Sequence, residues 1–447
     1  MQPSPRALAC AVTAALAFAP LHAQEAPASA ASSAAPAVAS SAPDRVDLDD
    51  VRNFSRVYEV IRQAYVEPVD NKTLMKAAIS GMLSGLDPHS EYLDKQGLEQ
   101  LSEDTTGQYS GLGIEVLEVD GALRIISPID DTPAARAGIK PGDTIVKIDG
   151  KAVDPDNVDD MFRRLRGDPG SKVTLTILHE KSDQPVDMHL VRERISVTSV
   201  KLRELEPGYV YIRLSQFQDD TAGDLEKKFA DYVAKHGQPK GAVLDLRSNP
   251  GGLLTSAVAV SDDFLDAGGI VSTRGRLADS NLKFAAHPGD LLNGAPIVLL
   301  ADNGTASAAE IVAGALKDNH RALIVGRRTF GKGVVQTVLP LDADHAVKLT
   351  TARYYTPNGT SIQAEGIKPD IALADLTVNP ADNGPELINS EADLRHHLAN
   401  ENAAAGQDID NDGSAENAKL ATEDYTLAQA LNILKGLALG HRASVAK

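Results

Sequence analysis

From Asp47 onward apolar residues recur three or four apart: Val51, Phe54, Val57, Tyr58, Ile61 and Tyr65, then Leu74, Ala78, Ile79, Met82 and Leu83. That spacing marks one face of a helix and predicts a small helical region over 44–102. Between 103 and 192 the period shortens. β-rich runs at 113–119, 123–126, 144–148, 173–178 and 186–191 are broken by turn signals such as Asp120-Gly121 and Asp149-Gly150. Only 133–137 and 157–166 read as helical there, the first with proline near its first turn, the second with Val158, Met161, Phe162 and Leu165 as its apolar stripe. A compact, mostly β module follows from this pattern.

From 193 to 370 the pattern alternates: strand 209–214, helix 222–235, strand 242–246, helix 253–265, strand 297–301, helix 306–316, strand 323–325. Such alternation implies crossover connections and a sheet covered by helices, with the site on loops at the strand ends. The segment 371–447 is polar and acidic, with a helical stretch near 425–439. The expected fold is therefore multidomain, mixing α+β and α/β parts.

The N-terminus sets the compartment. Arg6 precedes an apolar run over 7–19 that ends in Leu21-His22-Ala23, the pattern of a secretory signal peptide over 1–23, cut after Ala23. The run falls short of the roughly 20 apolar residues a spanning helix needs. Residues 24–43 are almost all Ala, Ser and Pro, a composition suited to a flexible tether. No later stretch could span a bilayer, so the mature protein is expected in an extracytoplasmic space. A net charge of -18 argues against a nucleic-acid partner, since phosphates would be repelled. The single cysteine, Cys10, lies in the segment expected to be removed, which takes disulfides, zinc thiolates and a cysteine nucleophile out together. The chemistry falls to oxygen and nitrogen, with no cofactor expected.

Three segments of the second half have the residues for it. Asp302-Asn303-Gly304-Thr305-Ala306-Ser307-Ala308-Ala309-Glu310 joins a buried strand to an apolar helix and presents Ser307 at a helix N-terminus, where the dipole and nearby N–H groups favour an oxygen nucleophile. Ser307 with Glu310 also fits a capping box, which needs no catalysis, and alone the segment reads as a cap. Phe330-Gly331-Lys332-Gly333-Val334-Val335-Gln336 adds a lysine among apolar and glycine neighbours. To act as a base it must be neutral, which asks its pKa to fall from about 10.4 to roughly 7–8, about 4 kcal/mol and within reach of burial. Gln336, on the same face if the stretch is extended, would orient the amine without adding negative charge. Gly241-Ala242-Val243-Leu244-Asp245-Leu246-Arg247-Ser248-Asn249-Pro250-Gly251-Gly252 is a strand running into a glycine turn whose N–H groups could face an oxyanion, or simply end the strand.

In the β module, Tyr109-Ser110-Gly111-Leu112-Gly113-Ile114 lets backbone N–H groups converge on an anion such as a chain-terminal carboxylate. With Pro133-Ala134-Ala135-Arg136-Ala137-Gly138-Ile139-Lys140-Pro141-Gly142-Asp143 and the 157–166 helix, the module resembles a PDZ domain of the permuted kind found in bacterial proteases. The resemblance implies that a peptide C-terminus adds as a strand beside 114–116, held at Leu112, Gly113 and Ile114. The three second-half blocks in this order, with Gly85-Leu86-Asp87-Pro88-His89-Ser90 upstream, resemble the carboxyl-terminal processing, or tail-specific, proteases over about 50–370. That resemblance implies a crotonase-like core with Ser307 as nucleophile, Lys332 as general base and Gln336 positioning it. It further implies an oxyanion hole from the N–H of Gly251 or Gly252 and of Ala308, and a regulatory role for Arg166. The expected enzyme is a periplasmic serine endopeptidase acting on flexible C-terminal tails of envelope proteins, with an adaptor protein and self-association left open.

The rivals are weaker. His320 and His345 sit in no catalytic motif, and Ser307 lacks the G-x-S-x-G elbow. His89 reads as packing within a turn. There is no H-E-x-x-H, His396-His397 face different sides of a helix, and Asp408-Ile409-Asp410-Asn411-Asp412-Gly413 starts like a calcium loop but has Lys419 at its twelfth position. A catalytically silent peptide-binding scaffold is the alternative from another class.

Overall fold

The computed structural model of the chain describes residues 46–119, 122–154, 158–180, 182, 184–374, 376–379, 398 and 414–445. The expected signal peptide and tether, the Asp120-Gly121 turn, Asn157, His396-His397 and the 408–413 loop lie outside these residues. The chain divides into two units, 1–74 and 75–447. In the first, the helical spacing becomes α1 (Leu48–Ala64), whose start is capped by Asp47 accepting the Asp49 N–H at 3.1 Å. The apolar stripe of α1 is not buried, Val51 being 48% and Phe54 47% exposed. α2 (Asn71–Ser84) follows.

The second unit continues with β1 (Glu91–Leu93) and α3 (Lys95–Thr106). Asp94 caps α3 through Gly97 N–H at 3.1 Å, and Gly107 ends it at φ 66°, where any side chain would collide with Gln218. The β module comprises β2 (Gln108–Gly111), β3 (Ile114–Val119), β4 (Ala122–Pro128), α4 (Pro133–Arg136), β5 (Thr144–Ile148), β6 (Lys151–Ala152), α5 (Val158–Leu165), β7 (Lys172–Leu178), β8 (Val186–Val191) and β9 (Glu193–Ser196). Its sheet runs β3-β4-β5-β7-β8 with β6 on β5, while β2 pairs antiparallel with β9. Period-two alternation turns Leu123, Ile125, Leu175 and Ile177 inward, where Met161 and Leu165 of α5 close the core. Each such side chain contributes roughly 1.5–3 kcal/mol by burial.

The remainder is β10 (Val200–Glu206), β11 (Tyr209–Leu214), α6 (Thr221–His236), β12 (Gly241–Asp245), α7 (Leu254–Asp262), β13 (Gly269–Gly275), β14 (Lys283–Ala285), β15 (Ile297–Ala301), α8 (Ala308–Asp318), β16 (Ala322–Gly326), β17 (Val334–Pro340), β18 (Ala346–Tyr355), β19 (Ile371–Ala372), α9 (Ser414–Glu423) and α10 (Tyr425–Val445). One sheet runs β10-β11-β12-β15-β16-β19, and β11 through β19 in that order are parallel. Every residue of β12 and β15 is buried because both faces are covered. Leu244 and Leu299 pack with residues of α6, α7 and α8, whereas Val243, Val298 and Leu300 meet Leu427, Ala430 and Leu434 of α10. A second sheet, β1-β18-β13-β14 with β17 on β18, completes the unit.

The C-terminal segment is tied to the glycine-turn motif. Arg247 grips Asp245 and forks onto Asp424 just before α10, at 3.0 and 2.7 Å. The parallel strands point their carboxyl ends to one edge, so the loops after Leu214, Asp245, Ala301 and Gly326 converge there. Among the described residues, no helix is long and apolar enough to cross a membrane and no three His, Cys, Asp or Glu side chains gather as a metal site.

Candidate active site

The loop after β12 is built around Asn249, which is fully buried. Its side chain donates to the Leu214 carbonyl at 3.0 Å and accepts the Gly251 N–H at 2.9 Å, and its carbonyl accepts the Ala306 N–H at 2.9 Å. One residue thus joins the exits of β11, β12 and β15. Both glycines are required by close approach. At Gly251 (φ 105°) a Cβ would stand 2.8 Å from the Ser307 Cβ, and at Gly252 (φ 139°) it would stand 2.1 Å from the Phe217 carbonyl oxygen. Phe217 bridges this turn by donating to the Gly251 carbonyl and accepting the Leu253 N–H. Neither the bridge nor Asn249 engages the Gly252 N–H.

Ser307 lies between β15 and α8 with φ 55°, a left-handed conformation that costs a residue with a Cβ about 1–3 kcal/mol. The helix expected from 306 therefore begins at Ala308, one residue past the serine. This is a strained strand-to-helix turn without the G-x-S-x-G sequence that usually announces one. The Ala308 N–H, first of the helix, has no acceptor within α8.

Glu310 is far more than a cap. With no exposed surface, its carboxylate accepts four hydrogen bonds: Thr329 Oγ1 at 2.5 Å and Gly331 N–H at 2.8 Å on Oε1, Ser307 N–H and Lys332 N–H at 2.9 Å each on Oε2. The backbones of the serine and the lysine are thereby pinned to the same oxygen. Tyr354, on β18, adds a second pin, its hydroxyl lying in reach of the Ser307 carbonyl at 3.0 Å and of the Lys332 carbonyl. Burial, then the charge of Glu310, pushes that phenol well above its ordinary range, so it stays a donor.

Burial also lowers the Lys332 pKa, and the neighbouring Lys348 ammonium lowers it further against the opposing pull of Asp87 and Glu91. The shift favours the neutral amine. Gln336, the third residue of β17, donates through Nε2 to Thr350 Oγ1 at 3.2 Å. The turn over 87–90 stands close by: burial and then Lys332 hold the His89 pKa down, a long-range electrostatic contact that sequence alone does not register.

Ser307, Ala308, Gly251, Gly252, Lys332 and Gln336 all line one cavity of about 930 Å³, whose far wall includes Leu98 and Leu101 of α3. A hydroxyl, an amine biased toward neutrality and spare N–H donors on one cavity are the parts of a base-assisted acyl transfer. Leu112, Gly113, Ile114 and Arg166 are not there. They line a second cavity of about 240 Å³ in the β module, with Tyr109 and Phe162. Gly113 (φ 73°) is needed because a Cβ would stand 2.3 Å from Thr132. The Arg166 guanidinium lies 5.9 Å from the Tyr109 ring and donates to Gln100 at 3.0 Å and Glu103 at 2.6 Å, both on α3. α3 therefore lines the first cavity and, through Gln100 and Glu103, holds Arg166, which lines the second; spacing along the chain does not register that link. Tyr354 and Asn249 are further residues of the cavity's frame that sequence patterning does not single out, and Glu310 is read from it only as a cap. The one available signal was a glutamate inside an otherwise apolar helix.

Family models match the chain in three places: Peptidase family S41 over residues 208–373, PDZ domain over 124–178 and Activating protease CtpB N-terminal domain over 10–97. The Carboxy-terminal-processing protease of Bartonella bacilliformis is 43% identical over 388 residues, 86% of this chain and 88% of that protein. A Probable CtpA-like serine protease of Staphylococcus aureus is 36% identical over 334 residues, 74% of this chain and 66% of its own length. Among solved structures, a Photosystem II D1 C-terminal processing protease is 31% identical with a TM-score of 0.43, the match covering 72% of this chain and 92% of that one.

Proposed function

Because the chain belongs to the carboxy-terminal-processing proteases of peptidase family S41 and carries a PDZ domain, we propose that it is a serine endopeptidase working through a Ser307/Lys332 dyad. In this reading the neutral Lys332 amine takes the Ser307 proton as Oγ bonds to the scissile carbonyl carbon. The carbonyl electrons move to oxygen, which the N–H groups of Gly252 and Ala308 hold. Collapse expels the amine, which leaves with the proton from Lys332. Water then attacks the acyl-enzyme with Lys332 again as base, freeing a new C-terminus and restoring Ser307. Gly252 is preferred over Gly251 because the Gly251 N–H is already given to Asn249. The observation that carries the proposal is that Ser307 lines one cavity with Lys332 and Gln336, which follow it by more than twenty residues.

Substrates are flexible C-terminal tails of envelope proteins. The small cavity at Leu112, Gly113 and Ile114 would take the terminal carboxylate and last side chain. The N-terminal pattern of Arg6, apolar run and Leu21-His22-Ala23 supports a periplasmic location. An unstructured reporter with a free apolar C-terminus should be cleaved roughly 10- to 100-fold faster than the same reporter with an amidated end, the worth of charge-assisted hydrogen bonds to the carboxylate. Equal rates would remove tail capture, and no cleavage of either would leave the silent scaffold.

The electrostatics supply a pH test. The proton-accepting form of Lys332 is the neutral one, so kcat/KM should rise with pH through the Lys332 pKa, which burial and Lys348 depress. Lys348→Gln removes the second cause and frees Glu91, its ion-pair partner at 2.8 Å, to attract the ammonium. Both changes favour the charged form, so the acid limb should move to higher pH. A limb that stays in place in a pH–rate profile would show that the rising limb does not belong to Lys332.

A further inference from the structure

The Asp87-Pro88-His89-Ser90 turn has no assigned part in the chemistry, yet it is wired to the dyad's glutamine. The Asp87 carboxylate accepts His89 N–H at 2.8 Å, Ser90 N–H at 3.0 Å, Ser90 Oγ at 2.7 Å and Thr350 Oγ1 at 3.1 Å. Ser90 Oγ in turn accepts the Thr350 N–H at 3.1 Å. Thr350 stands opposite Gln336 because the β17–β18 register skips Thr351, pairing Val335 with Ala352 and Gln336 with Thr350. We propose that Asp87 and Thr350 are positioning residues for the dyad: a chain of hydrogen bonds of fixed direction, Gln336 to Thr350 to Asp87, holds the Gln336 amide with its oxygen turned toward Lys332. The proposal rests on the Ser307/Lys332 reading.

The direction follows from the donor count. An ionised carboxylate only accepts, so the single Thr350 hydroxyl proton is committed to Asp87. Burial by itself would raise the Asp87 pKa, but the hydrogen bonds from Ser90, His89 and Thr350 outweigh it and keep the group ionised. Thr350 can then offer Gln336 only a lone pair, and the amide atom 3.2 Å away must be Nε2. Orientation of an amide is ordinarily ambiguous, and here the chain settles it. Oε1 is left on the other side of the planar group, and Gln336 and Lys332 both line the one cavity. There it accepts an N–H of the neutral amine and leaves the amine's single lone pair for the Ser307 proton. A flipped amide would present N–H to that lone pair and block it.

Lys332 is faced by Lys348 on β18, Glu91 on β1, and Asp87 and His89 in the turn, with Glu310 of α8 on its backbone. Thr350→Val keeps the shape and deletes the hydroxyl. Its kcat on the unstructured reporter should fall roughly 10- to 100-fold with KM unchanged, the cost of a misplaced catalytic group. Because the ammonium loses an acceptor, the acid limb should move to lower pH while the rate drops, a combination general loosening would not give. Asp87→Asn should act in the same direction, and Thr350→Ser should restore both readouts. If Thr350→Val does not fold, Thr350→Ala has the same expectation. Wild-type kcat with an unmoved limb in Thr350→Val, beside an inactive Lys332→Ala, overturns the relay alone; activity retained by Lys332→Ala overturns the dyad reading on which it rests.

Discussion

Ser307→Ala is expected to lower hydrolysis of an unstructured reporter by about 10⁴-fold or more, the loss usual for a nucleophile in such a unit. It should leave the fold and tail binding as they are. Two of the interactions that hold this residue are made by its main chain: its N–H goes to Glu310 and its carbonyl accepts the Tyr354 hydroxyl. Alanine retains both. The left-handed φ of 55° costs alanine no less than serine, so no relief of strain should appear either. A thermal midpoint within a degree or two of wild type, together with unchanged tail-peptide affinity by calorimetry, would separate lost chemistry from lost structure. Undiminished cleavage would mean that another group is the nucleophile.

Glu310→Gln should cost stability and activity together, which an ordinary helix cap would not. A capping box accepts glutamine in place of glutamate. Here each carboxylate oxygen already receives two donors, Thr329 and Gly331 on one, Ser307 and Lys332 on the other. Turned toward Ser307 and Lys332, the glutamine NH₂ meets two N–H donors; turned toward Thr329, whose hydroxyl can accept, and Gly331, it still leaves the Gly331 N–H unpaired in a site with no exposure. With one buried donor unpaired at about 1–3 kcal/mol and the remaining bonds made to a neutral amide instead of a charged carboxylate, the loss is about 3 kcal/mol. In a domain of this size that lowers the melting temperature by roughly 6–12 °C. Turnover should fall more than tenfold, since the serine and lysine backbones lose the oxygen they share. A variant with wild-type melting temperature and rate would return Glu310 to the role of a simple cap.

The two readings of Ser307-x-x-Glu310 show where local information stops. Both are compatible with the same four residues, and Glu310 does take the Ser307 N–H as a cap would. What distinguishes them is that Thr329, Gly331 and Lys332 reach the same carboxylate from a loop about twenty positions away, and nothing in the spacing of Ser307 and Glu310 encodes that. The Asp87 turn is similar. Its internal hydrogen bonds follow from Asp-Pro-His-Ser, but its attachment to Thr350 spans more than two hundred residues.

Periodicity determined the elements whose two faces differ or are both covered. The strand at 297–301 and the helix over 222–235 could be read because a short continuous apolar run and the three-to-four spacing are properties of neighbours, and burial acts on each residue through its own side chain. The strand β18 (Ala346–Tyr355) could not: its Lys348, Thr350, Thr351 and Arg353 break the apolar pattern because several of them serve the cavity or the adjoining strands rather than a core. Tertiary structure alone decided that Asn249, Glu310 and Tyr354 bind the exits of separate strands together, that α3 lines the larger cavity while holding Arg166 of the smaller one, and that Lys332 sits beside Lys348. The physical reason is that hydrogen bonds and charge interactions among loops depend on distances through space, which crossover connections set after the strands have paired, whereas the hydrophobic pattern along the chain is written before any of them meet.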